Sequence, residues 1–136
     1  MIRIELFYKP QFTDGRALRL RASLEKHFHI SIKNLSIVDV FLVEERAALT
    51  DRQIDELFVD HVAQEKSVGR PVAGTPGFSG WDFLLEIAYK PGVTDPVAIT
   101  AEEAIAGISG GGEKRPRVRT ARQYLFSCPG LTADKL

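Results

Sequence analysis

The chain lacks most of the residues that announce a chemistry. Its 136 residues include one Cys, one Met and one Trp. The lone thiol, Cys128, cannot form an internal disulfide, which fits a reducing cytoplasm. It has no neighbouring base in sequence. Cys128-Pro129-Gly130 reads as a turn, not as the strand-to-helix elbow that presents a nucleophile. His27, His29 and His61 have neither metal-ligand spacing nor a Cys or carboxylate partner arrangement. There is no Walker loop. The glycine-rich run from Gly107 to Gly112 follows a helical pattern, so it cannot offer a helix N-terminus to phosphate and reads as a flexible connection. No apolar run approaches the roughly 20 residues that cross a bilayer. Arg3 and Glu5 interrupt the apolar N-terminus where a signal peptide would be continuous. Eighteen basic and 18 acidic residues give zero formal net charge, so no global field draws the chain to nucleic acid or to an anionic membrane. These absences predict a cytoplasmic protein with no membrane or nucleic-acid partner, no metal and no catalytic residue in this chain.

What the sequence does have is near-repetition. Tyr8-Lys9-Pro10-Gln11-Phe12-Thr13-Asp14 returns as Tyr89-Lys90-Pro91-Gly92-Val93-Thr94-Asp95, at an offset of 89 − 8 = 81 residues. In both places an alternating apolar stretch precedes the motif and a helical pattern follows it. A loop motif at equivalent places in two folding units points to internal duplication. A composition of 44% hydrophobic and 26% charged residues is that of an ordinary globular domain, though each half alone would be marginal.

Periodicity divides the chain accordingly. Met1 to Tyr8 alternates Ile2, Ile4 and Leu6 against Arg3 and Glu5, which predicts a strand with one buried face. Thr13 or Asp14 caps a helix to about Phe28, with Ala17, Leu20, Leu24 and Phe28 in one stripe. In Asn34 to Val43, Leu35, Ile37, Phe41 and Val43 share a face with Asp39, and Val38, Val40 and Leu42 take the other; an apolar majority on both faces predicts a central strand. Thr50-Asp51-Arg52-Gln53 is a capping box, and Ile54, Leu57, Phe58, His61 and Val62 follow at helical spacing, placing His61 on the apolar stripe. A short strand near Glu65 to Val68 closes a first unit, residues 1–68. Residues 69–80, with four Gly and two Pro, read as a linker or exposed loop. The second unit, residues 81–136, opens with a strand from Trp81 to Tyr89. Asp95 and Pro96 then start a helix with a stripe of Val97, Ala101, Ala104, Ile105 and Ile108, and Val118 to Phe126 forms the last strand.

Leu131-Thr132 stands where Leu49-Thr50 stands in the first unit, at an offset of 131 − 49 = 82 residues. A second copy of the last helix would begin there. The expectation is therefore a fragment, truncated at the last helix of its second unit. Asp14 and Asp95 read as helix caps, and Lys9 and Lys90 as solvated residues before turn prolines. Lys114 to Arg122 is the one basic stretch, and Arg117, Arg119 and Arg122 are the candidates for contact with an acidic partner. A charged, solvated sheet edge is the competing reading.

The run Arg3-Ile4-Glu5-Leu6-Phe7-Tyr8-Lys9-Pro10, the strand Ile37-Val38-Asp39-Val40-Phe41-Leu42-Val43-Glu44 and the loop Lys90-Pro91-Gly92-Val93-Thr94-Asp95-Pro96 together carry a resemblance. They resemble the N-terminal PurS-like domain of phosphoribosylformylglycinamidine synthase. That ligase of purine biosynthesis amidates FGAR to FGAM with ATP and glutamine. The resemblance covers Ile2 to Phe126, and the first loop departs from the pattern at Gln11, Phe12 and Gly15. It implies an α+β fold of tandem PurS-like β-α-β units with pseudo-twofold symmetry and antiparallel sheets covered by helices. It also implies a non-catalytic scaffold that bridges the synthetase and glutaminase domains of the same enzyme and is open to self-association. ATP and Mg belong to those other domains, and no cofactor belongs to this fragment. The rival class is a ferredoxin-like or ACT-like regulatory domain that binds a small molecule between its two units.

Overall fold

The computed structural model describes residues 1–108 and 115–132. Strand β1 (Ile2–Tyr8) leads through the first loop to helix α1 (Gly15–Phe28) and strand β2 (Lys33–Val43). A single 3-10 turn at Glu45–Ala47 precedes helix α2 (Asp51–Phe58) and strand β3 (Gln64–Val68). Strand β4 (Phe83–Ala88), helix α3 (Pro96–Ile108) and strand β5 (Val118–Ser127) follow. The five strands form one sheet in the order β3-β1-β2-β5-β4, with every neighbouring pair antiparallel. The class is α+β, and a single sheet replaces the expected plural sheets.

Local chemistry sets each start. The Asp14 carboxylate accepts from the Arg16 amide at 3.0 Å and opens α1. Thr50 and Gln53 close the anticipated capping box, with the Gln53 amide donating to the Thr50 hydroxyl at 3.2 Å and the Thr50 amide to Gln53 Oε1 at 2.9 Å. Asp95 Oδ1 accepts from the Ala98 amide at 3.0 Å at the head of α3. The two motif loops share further bonds at the sequence offset. Phe12 N donates to Lys9 O and Val93 N to Lys90 O, both at 3.0 Å. They differ at Gly92, which adopts φ 84°, a left-handed conformation that Gln11 does not share.

The alternation of the strands separates two packing layers. Ile4, Leu6, Val43 and Val118 face one way and pack with Ile54 of α2 and Ala98 and Ile105 of α3. Leu24 of α1 packs on the same face with Phe83, Leu85 and Phe126. All three helices therefore cover one face. On the other face Val38, Val40 and Leu125 meet Val72, Ala73, Phe78 and Trp81 from the connection between β3 and β4. Since β3 and β4 are the two edge strands, that connection crosses the whole sheet as a strap. Phe78 meets Phe7 edge-on at 5.0 Å, and Trp81 Nε1 donates to Phe78 O at 2.9 Å. The strap is pinned electrostatically as well. Glu5 is fully buried beneath it, accepting from the Val72 amide at 2.8 Å and from Arg3 Nε at 2.7 Å. Arg3 reaches on to Glu86 at 2.6 Å. Burying a carboxylate without partners is costly, and these two bonds offset its lost hydration.

Two expectations are corrected. Helix α2 ends at Phe58, so His61 and Val62 lie in an exposed turn instead of on the apolar stripe. The Asp60 carboxylate accepts from the Val62 amide at 3.0 Å, and the Gln64 amide donates to Asp60 O at 2.7 Å. That local bonding competes with helix continuation. Strand β5 is interior, flanked by β2 and β4, so its basic residues do not form a sheet edge. Of the glycine-rich run, Gly107 and Ile108 are helical, and the rest lies outside the described residues, as does the tail from residue 133.

Strand β3 is latched to α2 by the Lys66 ammonium, which bonds the Asp55 carboxylate and lies 3.0 Å from Asp51. Burial pulls the Lys66 pKa down, but bonds to Asp55 and Asp51 outweigh this and hold it above the ordinary 10.5. A raised folded-state pKa adds stability that is fully present below the unfolded value and fades as pH rises through the folded one. Urea unfolding of the native chain and of Lys66→Gln should therefore differ by a constant amount up to about pH 10, with the difference shrinking in more alkaline buffer. Replacing Glu5 by Ala should lower stability by about 2 kcal/mol, because the Val72 amide and the Arg3 guanidinium lose a charged partner. Proteolysis within residues 69–82 should accelerate in parallel.

Candidate functional site

The polar centre of the helical face is Asp39. It sits mid-strand in β2, at a position that sequence alternation assigned to the same face as Ile37 and Phe41. Across the β2·β5 seam its register partner is Arg122, and across β1·β2 it is Leu6. Arg122 Nε lies 3.2 Å from Asp39 Oδ1, and Arg16 Nη1 lies 3.0 Å from Asp39 Oδ2. Arg16 also pairs with its own helix cap, Asp14, at 3.1 Å and stacks over the Tyr8 ring at 5.8 Å. Burial alone would pull the Arg16 pKa down, but the bond to Asp14 and the Asp39 charge hold it above its ordinary value. One carboxylate thus ties the head of α1 to both strands of the seam.

A hollow of about 550 Å³ opens beside this triad, lined among others by Leu6, Phe58, Ile87 and Arg122. A second, of about 300 Å³, lies at the first motif loop between Phe12, Leu18 and Phe78. Thr120, which lines the larger hollow, has its hydroxyl bonded to the Asp95 carboxylate at 2.6 Å. Among the described residues no group of His, Cys, Asp and Glu is arranged to hold a metal ion, and no helix is long and apolar enough to cross a membrane.

The sequence-derived candidates do not converge. Arg117 precedes β5, Arg119 points to the strap side and Arg122 to the helical side, since residues of opposite parity alternate across a strand. All three are exposed, but Arg122 is engaged by Asp39. Asp14 and Asp95 are helix caps as expected, and Asp95 additionally accepts from the Thr120 amide at 3.1 Å and from its hydroxyl at 2.6 Å. Lys9 Nζ donates to His61 O at 2.9 Å, which leaves it tied to the α2–β3 turn. Cys128 is buried, and the Leu131 amide bonds back to its carbonyl at 3.1 Å, closing a turn. His29 ends α1 in the left-handed conformation, φ 52°. The role of Asp39 was missed by sequence reasoning. A lone acidic residue in an otherwise apolar strand was the available signal.

The fold and the polar centre define an α+β domain with a five-stranded antiparallel sheet, assembled around an ion-paired seam. Comparison of the chain with protein-family models, with curated proteins and with solved structures found no match.

Because Asp39 and both arginines are partly solvated, the triad's contribution is modest. Asp39→Ala should lower stability by about 1 kcal/mol and leave the far-UV circular dichroism unchanged. Combining it with Arg122→Ala should be less than additive, read from urea midpoints.

Proposed function

We propose that this chain is the non-catalytic PurS-like scaffold domain of a phosphoribosylformylglycinamidine synthase. In this reading it holds the synthetase and glutaminase parts of that ligase and does no chemistry itself. The single observation that carries it is the correspondence of the two halves. At the motif offset of 81, Leu6 corresponds to Ile87; Leu6 pairs with Asp39 and Ile87 with Arg122, which sets Asp39 against Arg122 at an offset of 122 − 39 = 83. Asp39 and Arg122 are then equivalent residues, and they pair with each other across the seam. A twofold axis relating the halves passes through a residue pair of that kind, as in an isologous dimer. The Phe12–Lys9 and Val93–Lys90 turn bonds support the same correspondence, as do Leu18–Asp14 at 3.2 Å and Ile99–Asp95 at 3.1 Å. A dimer folded into one chain is what the family resemblance implies.

The dispersal of Arg119 and Arg122 to opposite faces of the sheet fits a scaffold. A cytoplasmic location belongs to the same reading. The hollow beside Asp39 is of a size that suits a small ligand, which favours the regulatory-domain alternative as the second reading. The test is reconstitution. Added to separately produced synthetase and glutaminase portions of such an enzyme, the chain should co-elute with both and raise glutamine-dependent FGAM formation. It should hydrolyse neither glutamine nor ATP alone. Failure to bind either portion, with saturable micromolar binding of a nucleotide or amino acid by calorimetry, would move the assignment to the regulatory class.

A further inference from the structure

The helical face of the sheet carries a transverse row of paired residues, Leu6–Asp39–Arg122–Ile87, one from each of β1, β2, β5 and β4. That row lines the larger hollow, whose volume of about 550 Å³ is within the range that holds a small organic molecule. Four aromatic side chains, Phe41, Phe58, Tyr89 and Tyr124, line it too, and the Phe41 and Phe58 rings lie 4.8 Å apart. The rest of the lining includes apolar residues open to solvent. Ile87 is 58% exposed, and Tyr89 and Val97 are each 53% exposed. One exposed apolar residue is ordinary, but three around a single concavity mark a binding surface.

The charge available in the hollow is positive. Among the described residues Arg122 makes one bond, from Nε to Asp39, so the two terminal nitrogens of its fork remain open. That fork matches the two oxygens of one carboxylate. The nearby acids are already taken. Asp39 lies between Arg16 and Arg122, and Asp95 accepts from the Thr120 hydroxyl and the Ala98 amide. Gln64 Oε1 accepts from the Asp60 amide at 3.1 Å, which leaves the NH2 group of that side chain as a further donor. The heads of the two helices account for the asymmetry. Arg16, the second residue of α1, reaches Asp39, whereas Val97, the second residue of α3, brings no charge to Arg122.

We infer that this hollow binds a small aromatic carboxylic acid, with the carboxylate on the open fork of Arg122 and the ring against the aromatic and apolar walls. The charge-assisted, two-point bond sets the orientation, and burial of the ring supplies area that a bare anion lacks. A free amino acid is a poorer fit, because no carboxylate is left to receive its ammonium group. The inference rests on the second reading of the hollow, as the site of a regulatory domain, and is independent of the scaffold reading.

The probe is hydrocinnamate, titrated into the native chain by calorimetry beside three relatives. Hydrocinnamate should saturate with a Kd on the order of 100 μM. Hydrocinnamamide lacks the charge, hexanoate lacks the ring and L-phenylalanine adds an ammonium, and each should bind roughly tenfold or more weakly. Arg122→Lys keeps a cation beside Asp39 but loses the fork, and should weaken hydrocinnamate by about tenfold. Arg122→Gln should abolish its binding. Circular dichroism checks that both variants are folded. Unchanged affinity in either folded variant overturns the inference, as does equal binding of hydrocinnamamide, hexanoate or L-phenylalanine by the native chain. Absence of saturation by hydrocinnamate overturns it too. If a nucleotide or L-phenylalanine saturates instead, the regulatory reading stands without the inference. Hydrocinnamate binding that Arg122→Gln removes upholds the inference, whether or not the chain also joins synthetase and glutaminase portions.

Discussion

The structure depends on the antiparallel pairing of β2 with β5. Neither half could bury its sheet alone. The first half offers three strands and the second two, and a two-stranded ribbon is marginal in water. Pairing runs from Val43↔Val118 through Asp39↔Arg122 to Lys33↔Ser127, with an irregularity between Lys33 and Ser36. It converts two edges into the centre of a five-stranded sheet. Val38, Val40 and Leu125 become buried on one side and Val43 and Val118 on the other, because strands flanked by both neighbours bury both faces. The polar centre is a consequence of the same register. A one-residue slip would turn Asp39 into the apolar layer under the strap and turn Val38 and Val40 toward the helical face.

Once the seam is set, the two faces are closed by different means. The helical face is closed by stripes on α2 and α3 and by the cap-and-triad linkage that holds the head of α1. The opposite face is closed by a segment with little secondary structure, which needs both apolar plugs and a charged anchor. Val72 supplies the plug and, through its amide, the bond to Glu5. Apolar side chains remain exposed on β4 and α1, among them Ile87 and Phe28.

Much of this was legible in the sequence. Period-two alternation located β1, β2 and β4, and the two motif copies located the starts of α1 and α3 within a residue, because Asp14 and Asp95 cap helices for local reasons. The capping box at Thr50 to Gln53 was readable on the same ground. Less legible was whatever depends on residues far apart in the chain. Glycine and proline content marked residues 69–80 as a connection but held no sign that Glu5, distant in sequence, would bind the Val72 amide. The stop of α2 at Phe58 came from Asp60 bonding, which competes with an apolar spacing that otherwise runs on to Val62. The basic run looked like an edge because no local signal tells a strand which neighbours it will have. Asp39 was placed on the right face, but its partners come from α1 and β5 and emerge only with the tertiary register.

The seam carries all of this, so its register is the quantity to measure. Cross-strand nuclear Overhauser effects in the native chain would report it residue by residue. The account predicts contacts joining Ile37 to Tyr124, Asp39 to Arg122 and Phe41 to Thr120, with β4 contacts beyond β5 alone. A β2 strand in contact with β4, or a β2·β5 pairing shifted so that Asp39 no longer faces Arg122, would contradict it.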